Sequence, residues 1–217
     1  IYYLINKIFF FKIEQVFVQT RSMKENINKF FPNTKVEILP FIDKIYFENK
    51  EKQLNKKYDF IYPANNYFHK NHKKLLKAIV LLNDENIRPS FIFTIAKYDK
   101  NLEKTILKYK NNFNLNISIR NEVIPQNMKE LYLSCNALIF PSKFESFGMP
   151  LVEAKKLNLK VIAPELDYVR DVIIPDFTFD VNSSISIARA IKRYLKIKEG
   201  EAKIYAAKDF IEIITNF

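Results

Sequence analysis

From residue 60 onward the sequence alternates between short apolar runs and longer amphipathic stretches, and that rhythm leaves few folds open. Phe60-Ile61-Tyr62, Phe91 to Ile95, Ile117 to Ile119, Ala137 to Phe140 and Val161 to Ala163 read as strands. Between them, Leu75 to Leu82 reads as the apolar core of a helix, and residues 101–110, 127–134 and 149–157 read as helices. Strands of this length alternating with helices predict βαβ units and an α/β, doubly wound parallel sheet of Rossmann-like type. The strand cores are almost continuously apolar, as expected when helices cover both faces of a sheet. Residues 1–13 read as the end of an amphipathic helix, Val16 to Val18 as a strand, 21–30 as a polar helix, and Val36 to Pro40 as a strand stopped by its proline. The expected division is a front segment 1–44, a charged linker 45–58, a Rossmann-like domain 59–180, and closing helices in 181–217, placed over 183–197 and 201–214.

Composition removes several kinds of site. Glycine occurs twice in 217 residues, at 148 and 200, where ordinary usage would give roughly 15. The Walker phosphate loop and the G-x-G-x-x-G fingerprint both need closely spaced glycines and are excluded. One cysteine, Cys135, rules out an internal disulfide and a multi-cysteine zinc site. The two histidines, His69 and His72, stand three apart with Lys70 after the first, which excludes H-E-x-x-H. No D-x-D triplet occurs to hold a divalent ion on a sugar nucleotide. The first eleven residues are apolar but hold Asn6 and Lys7, short of the roughly 20 apolar residues a membrane span needs. With no recognisable secretory segment and a lone thiol, the cytoplasm is the expected compartment.

Lys and Arg number 35 against 24 Asp and Glu, for a net charge of +11. Most of the cations are lysine, the more strongly hydrated ion, so a solvated surface is the plain reading. Attraction to a phosphorylated substrate, or peripheral contact with anionic lipid, is a second. Nucleic acid is the third; the lysines are scattered and no DNA- or RNA-recognition signature is present, so no nucleic-acid partner is expected.

In a doubly wound sheet, ligands bind beyond the carboxyl ends of the strands. Two loops there carry candidate chemistry. Pro141-Ser-Lys-Phe-Glu145-Ser-Phe-Gly148-Met-Pro150-Leu-Val-Glu153-Ala154 leaves a strand and enters a helix. Pro150 suits the first helical turn, and Gly148 permits positive φ or close backbone approach. Amides of Phe147, Gly148, Met149 and Leu151 at the helix mouth could meet a diphosphate. Glu145 precedes the helix, and Glu153 could reach sugar or ribose hydroxyls as a double acceptor. Taken singly, Glu145 could serve only the helix dipole and Glu153 could be a solvated helix residue. The second loop is Tyr62-Pro-Ala-Asn-Asn-Tyr-Phe-His69-Lys70-Asn71-His72. Lys70 there offers a point charge to phosphate, and the histidines could simply cap and solvate the following helix.

These residues resemble a known family. Pro141-Ser142 followed by Glu145-Ser-Phe-Gly148-x-Pro150-x-x-Glu153-Ala154 is similar to the signature of retaining glycosyltransferases of family 4, with two Glu separated by seven residues. Tyr62 to His72 with Leu75-Leu76 resembles the first loop of the same domain in bacterial polysaccharide-assembling members. Val161 to Ala163 with Tyr168 to Asp171, and Val18 to Thr20 with Ile38 to Pro40, resemble the flanking parts, so the likeness spans residues 14–195.

The resemblance implies the C-terminal, donor-binding half of a GT-B glycosyltransferase, with residues 1–44 a remnant of the N-terminal acceptor domain. It implies a nucleotide-diphosphate sugar as donor, a glycan or lipid-linked acceptor, retention of configuration, and neither metal nor cofactor. Glu145 and Lys70 would be catalytic. Glu153, Ser146, Phe147, Gly148, Met149, Leu151, His69, Asn71 and Asn121 would hold the donor. Asn121 and Asn158 stand where the family commonly has glycine. An acceptor domain before residue 14, or a partner chain in its place, would complete the cleft. The competing expectation is a catalytically inactive nucleotide-sugar-binding module.

Overall fold

The computed structural model describes residues 13–46 and 55–216. The helix expected over residues 1–13 and most of the charged linker therefore lie outside the described residues. The chain opens with β1 (Gln15–Val18), α1 (Arg21–Phe30) and β2 (Lys35–Ile38); β1 and β2 pair in parallel as a separate two-stranded sheet. Thr20 caps α1 by accepting from the Met23 amide at 3.3 Å. A short 3-10 turn over Lys44–Tyr46 follows.

The main body runs β3 (Tyr58–Pro63), α2 (His72–Asp84), β4 (Phe91–Ile95), α3 (Lys100–Phe113), β5 (Ile117–Asn121), α4 (Pro125–Leu133), β6 (Cys135–Ile139), α5 (Met149–Lys156), β7 (Lys160–Pro164), α6 (Asp167–Arg170), β8 (Phe177–Phe179) and α7 (Ser184–Tyr194). The six strands β3 to β8 form one parallel sheet in the order β5-β4-β3-β6-β7-β8. The order reverses between β3 and β6, which makes that gap the topological switch point. Phe60, Ile61, Phe91, Ile92, Phe93, Leu138, Ile139, Val161 and Ile162 are fully or almost fully buried, so the apolar runs are central strands covered on both faces.

Two elements escaped the sequence reading. Strand β8 has three residues, too few for a pattern, and α6 is a single turn. The last helix, α8, spans Ala207–Thr215 and starts later than expected. Strand β8 is fastened to β7 through Asp176, which accepts from Lys155 at 2.6 Å, Lys160 at 2.9 Å and the Val161 amide at 2.9 Å.

A chain with two glycines must find its left-handed turns elsewhere. Asn71, Asn86, Asn114 and Asn158 all adopt positive φ, the region Asn tolerates best after glycine. Asn158 thus does the glycine's work at the end of α5. Asn121 does not: positive φ falls on its neighbour Glu122 (φ 51).

Candidate functional site

The two loops singled out above leave β3 and β6, so they face each other across the switch point. They are tied together by main-chain and side-chain bonds. The Lys143 amide donates to the His69 carbonyl at 2.8 Å. Tyr62 Oη donates to the Lys70 carbonyl. Asn71, left-handed at φ 62, donates Nδ2 to the carbonyls of Pro141 at 3.2 Å and Val181 at 2.8 Å. Asn71 therefore fixes the loop rather than presenting its amide to the cleft.

This scaffold brings Lys70 Nζ to 2.6 Å from Glu145 Oε1. The pair is well sheltered, with side chains 17% and 11% exposed. His69 Nε2 lies 3.9 Å from the same oxygen, and its ring sits between Tyr67 and Phe144, with centroids 5.7 and 4.6 Å away. Beneath the pair, Tyr168 Oη donates to the Ser142 carbonyl at 2.7 Å. Burial and the nearby Glu145 carboxylate hold the Tyr168 phenol above its ordinary value.

Glu153, on α5, is 8% exposed and accepts from Tyr132 Oη at 2.8 Å. A second phenol, Tyr46, stands close enough to shift its titration. Burial raises the Glu153 carboxyl above its usual value, and the two phenols partly offset that. A buried carboxylate bonded to a phenol is not a solvated helix residue. His69, Lys70, Tyr132, Pro150 and Glu153 line one cleft of about 550 Å³, completed by residues 94–98, at and just past the end of β4, and by 122–123 after β5.

Gly148 caps α5 at φ +75, where a Cβ would stand 3.0 Å from Leu151 Cδ1. The other expected donor contacts are spread more widely. The Leu151 amide donates to the Gly148 carbonyl at 2.9 Å and closes the first turn, so it is not free for a ligand. Met149 is 40% exposed at the helix mouth. The Ser146 carbonyl accepts from Thr20 Oγ1 at 3.1 Å, a tie to the front segment. The Phe147 side chain is buried against a separate cavity of about 370 Å³ shared with Thr20, Phe41 and Asp171. Asn121 donates to Glu103 at 3.1 Å and lines a third cavity, of about 420 Å³. Tyr132 and Tyr46 were not legible as site residues; in sequence each is one aromatic among thirty-two Tyr and Phe. Among the described residues no group of three or more His, Cys, Asp or Glu could hold a metal ion, and no helix is long and apolar enough to cross a membrane.

The sheet order, with a charged pair at its switch point and a cleft beside it, defines a Rossmann-like domain. The chain belongs to the family described as glycosyl transferases group 1, whose model matches residues 43–209. It is 27% identical over 114 residues to the serotype-specific mannosyltransferase WbdA of Escherichia coli, a match covering 51% of this chain and 14% of that protein. Solved structures share the fold. A glycosyltransferase from Rickettsia africae superposes with a TM-score of 0.70 at 16% identity, covering 88% of this chain and 56% of that one. The pneumococcal O-GlcNAc transferase GtfA, in complex with UDP and GlcNAc, gives 0.63 at 19% identity, over 85% of this chain and 39% of that one. TarM gives 0.65 at 18%, over 95% and 44%. The fold is thus the doubly wound half of a GT-B glycosyltransferase, and the chain spans about half, or less, of these proteins' length.

Proposed function

We propose that this chain is the donor-binding half of a retaining, family 4 type glycosyltransferase that moves a sugar from a nucleotide-diphosphate sugar to a glycan or lipid-linked acceptor. One observation carries the reading: Lys70, paired with Glu145, and Glu153 share a single cleft at the switch point. The solved GtfA complex with UDP and GlcNAc supports a nucleotide-sugar donor, and the WbdA likeness supports a polysaccharide context.

In this reading the pyrophosphate meets Lys70, which supplies the countercharge that a divalent ion supplies elsewhere, and no cofactor takes part. Glu145, already within reach of that ammonium, contacts the transferred sugar. Glu153 accepts from the ribose hydroxyls. As the bond from the anomeric carbon to the diphosphate oxygen breaks, negative charge grows beside Lys70 and the mouth of α5, where it is stabilised in advance. The departing diphosphate takes the proton of the acceptor hydroxyl, whose oxygen bonds to the same face of the anomeric carbon. The wall that holds the acceptor comes from a preceding domain or a partner chain. The setting is the cytoplasm, and the surplus of lysine favours peripheral contact with an anionic membrane.

Calorimetric titration of the chain with nucleoside diphosphates and their sugar conjugates tests the reading. Saturable binding is expected, with a rise in thermal stability of about 2.7 kcal/mol at a hundredfold excess over the dissociation constant. No binding and no shift with any of them would remove it.

A further inference from the structure

Glu153 poses a question that the donor site alone does not answer. Burying a carboxylate is costly, and where only packing is needed an apolar side chain of similar volume does as well or better. Here two phenols from distant parts of the chain converge on it. Tyr132 lies on α4 and is fully buried; Tyr46 lies on the 3-10 turn before β3 and is 6% exposed. Their rings meet edge to face, with centroids 6.5 Å apart. Tyr132 Oη donates to Glu153 Oε2 at 2.8 Å, and the Tyr46 phenol lies close enough for it and the carboxylate to shift each other's titration. Tyr132 and Glu153 line the cleft, and Tyr46 stands behind them.

A carboxylate accepts about four hydrogen bonds. Tyr132 occupies one of those directions and the Tyr46 phenol stands near the same carboxylate, which leaves lone pairs for a ligand. We propose that Tyr46 and Tyr132 are positioning residues for Glu153: they hold its carboxylate from behind, so that its remaining lone pairs meet the two adjacent hydroxyls of a bound ribose. The inference rests on the nucleotide reading above and assigns it two further residues. Tyr46 precedes the Rossmann-like sheet in the chain, so the ribose contact draws on a segment outside that sheet. Asp43 also faces the carboxylate, from the same segment as Tyr46, and its charge opposes ionisation of Glu153. The phenols are therefore the groups that favour the charged, double-acceptor form.

The test compares a ribonucleoside diphosphate with its 2′,3′-dideoxy analogue. The uridine or guanosine pair is used, whichever ribonucleotide binds in the titration above. Affinities are measured for the wild-type chain and for Tyr46→Phe, Tyr132→Phe, the double variant and Glu153→Gln. Phenylalanine keeps the ring and the packing, and thermal melting without ligand checks that each variant folds. The wild type is expected to prefer the ribose form by about a hundredfold, the lower end for two hydrogen bonds to a charged acceptor in competition with water. Each Tyr→Phe variant should lose most of that preference, and the double variant all of it, with affinity for the dideoxy form unchanged within twofold. A preference retained in both Tyr variants but lost in Glu153→Gln would overturn this inference and leave the donor site standing. A preference retained in Glu153→Gln, or wild-type failure to bind any nucleoside diphosphate, would overturn the ribose assignment and this inference with it.

Discussion

Lys70→Ala is expected to weaken nucleoside diphosphate binding by about hundredfold, or ~2.7 kcal/mol, near the upper end for a hydrogen bond to a charged group. The figure follows from where the ammonium sits. Lys70 is held on a short turn, its carbonyl is fixed by Tyr62 and its loop is bonded to the facing one. Little conformational freedom is left to lose on binding. Its shelter beside Phe140, whose ring centroid is 5.8 Å away, strengthens its attraction for phosphate relative to a surface lysine. Removing it also leaves the Glu145 carboxylate without its closest partner, so the variant should melt earlier than wild type. Lys70→Ala/Glu145→Ala should regain part of that stability and none of the affinity. Arginine is not an equivalent replacement, because its planar fork needs a different approach to the phosphate. Calorimetry on the single and double variants checks this; an unchanged dissociation constant in Lys70→Ala would contradict it.

The second large effect is on stability in mild acid, through His72. This residue begins α2 beneath the candidate site and packs against Tyr62 and Phe93, with centroids 5.0 and 6.5 Å away. Burial lowers its pKa from 6.5 to about 4, and the Lys70 charge adds to the shift; a bond to the Ala64 backbone and the Asp99 charge oppose it. The folded chain thus holds a neutral imidazole where the unfolded chain binds a proton. Stability is full above about 6.5 and falls as the pH drops towards 4, by about 3 kcal/mol on the usual conversion of a pKa difference. Asp176 adds a second, more acidic window. Burial raises its carboxyl, but Lys155, Lys160 and the Val161 amide outweigh that and bring it to about 2. Its contribution is present above its ordinary value of 3.8 and is lost as the pH falls towards 2. Urea unfolding of wild type and His72→Phe from pH 7.5 to 4 separates the two. The wild type should lose stability between 6.5 and 4 and the variant should not; parallel curves would contradict the assignment.

The sheet was legible because its strands are buried on both faces. An unbroken run such as Phe91 to Ile95 can hardly be anything else when helices flank it. Strand β8 was not legible, since three residues carry no period. What secures it is Asp176, outside the strand, whose partners lie on α5 and β7. Lys70, Glu145 and Glu153 stood out because each follows a strand at the end where such sheets bind ligands. The 2.6 Å pairing of Lys70 with Glu145 depends on the switch point between β3 and β6, and strand order is not written in periodicity. The phenols behind Glu153 were hidden for the same reason: Tyr46 and Tyr132 are brought to it by topology alone. Asn121 shows the converse. Its place in the sequence suggested a glycine-like turn, yet the backbone gives the positive φ to Glu122 and the Asn121 side chain to Glu103.

The most direct measurement is a crystal structure of this chain with a nucleoside diphosphate bound. A phosphate oxygen should lie within about 3.2 Å of Lys70 Nζ and a ribose hydroxyl at similar range from Glu153, the limit of a good hydrogen bond. A nucleotide seated in the cavity beside Arg120 and Asn121, or one whose phosphates and ribose lie away from both side chains, would contradict the account.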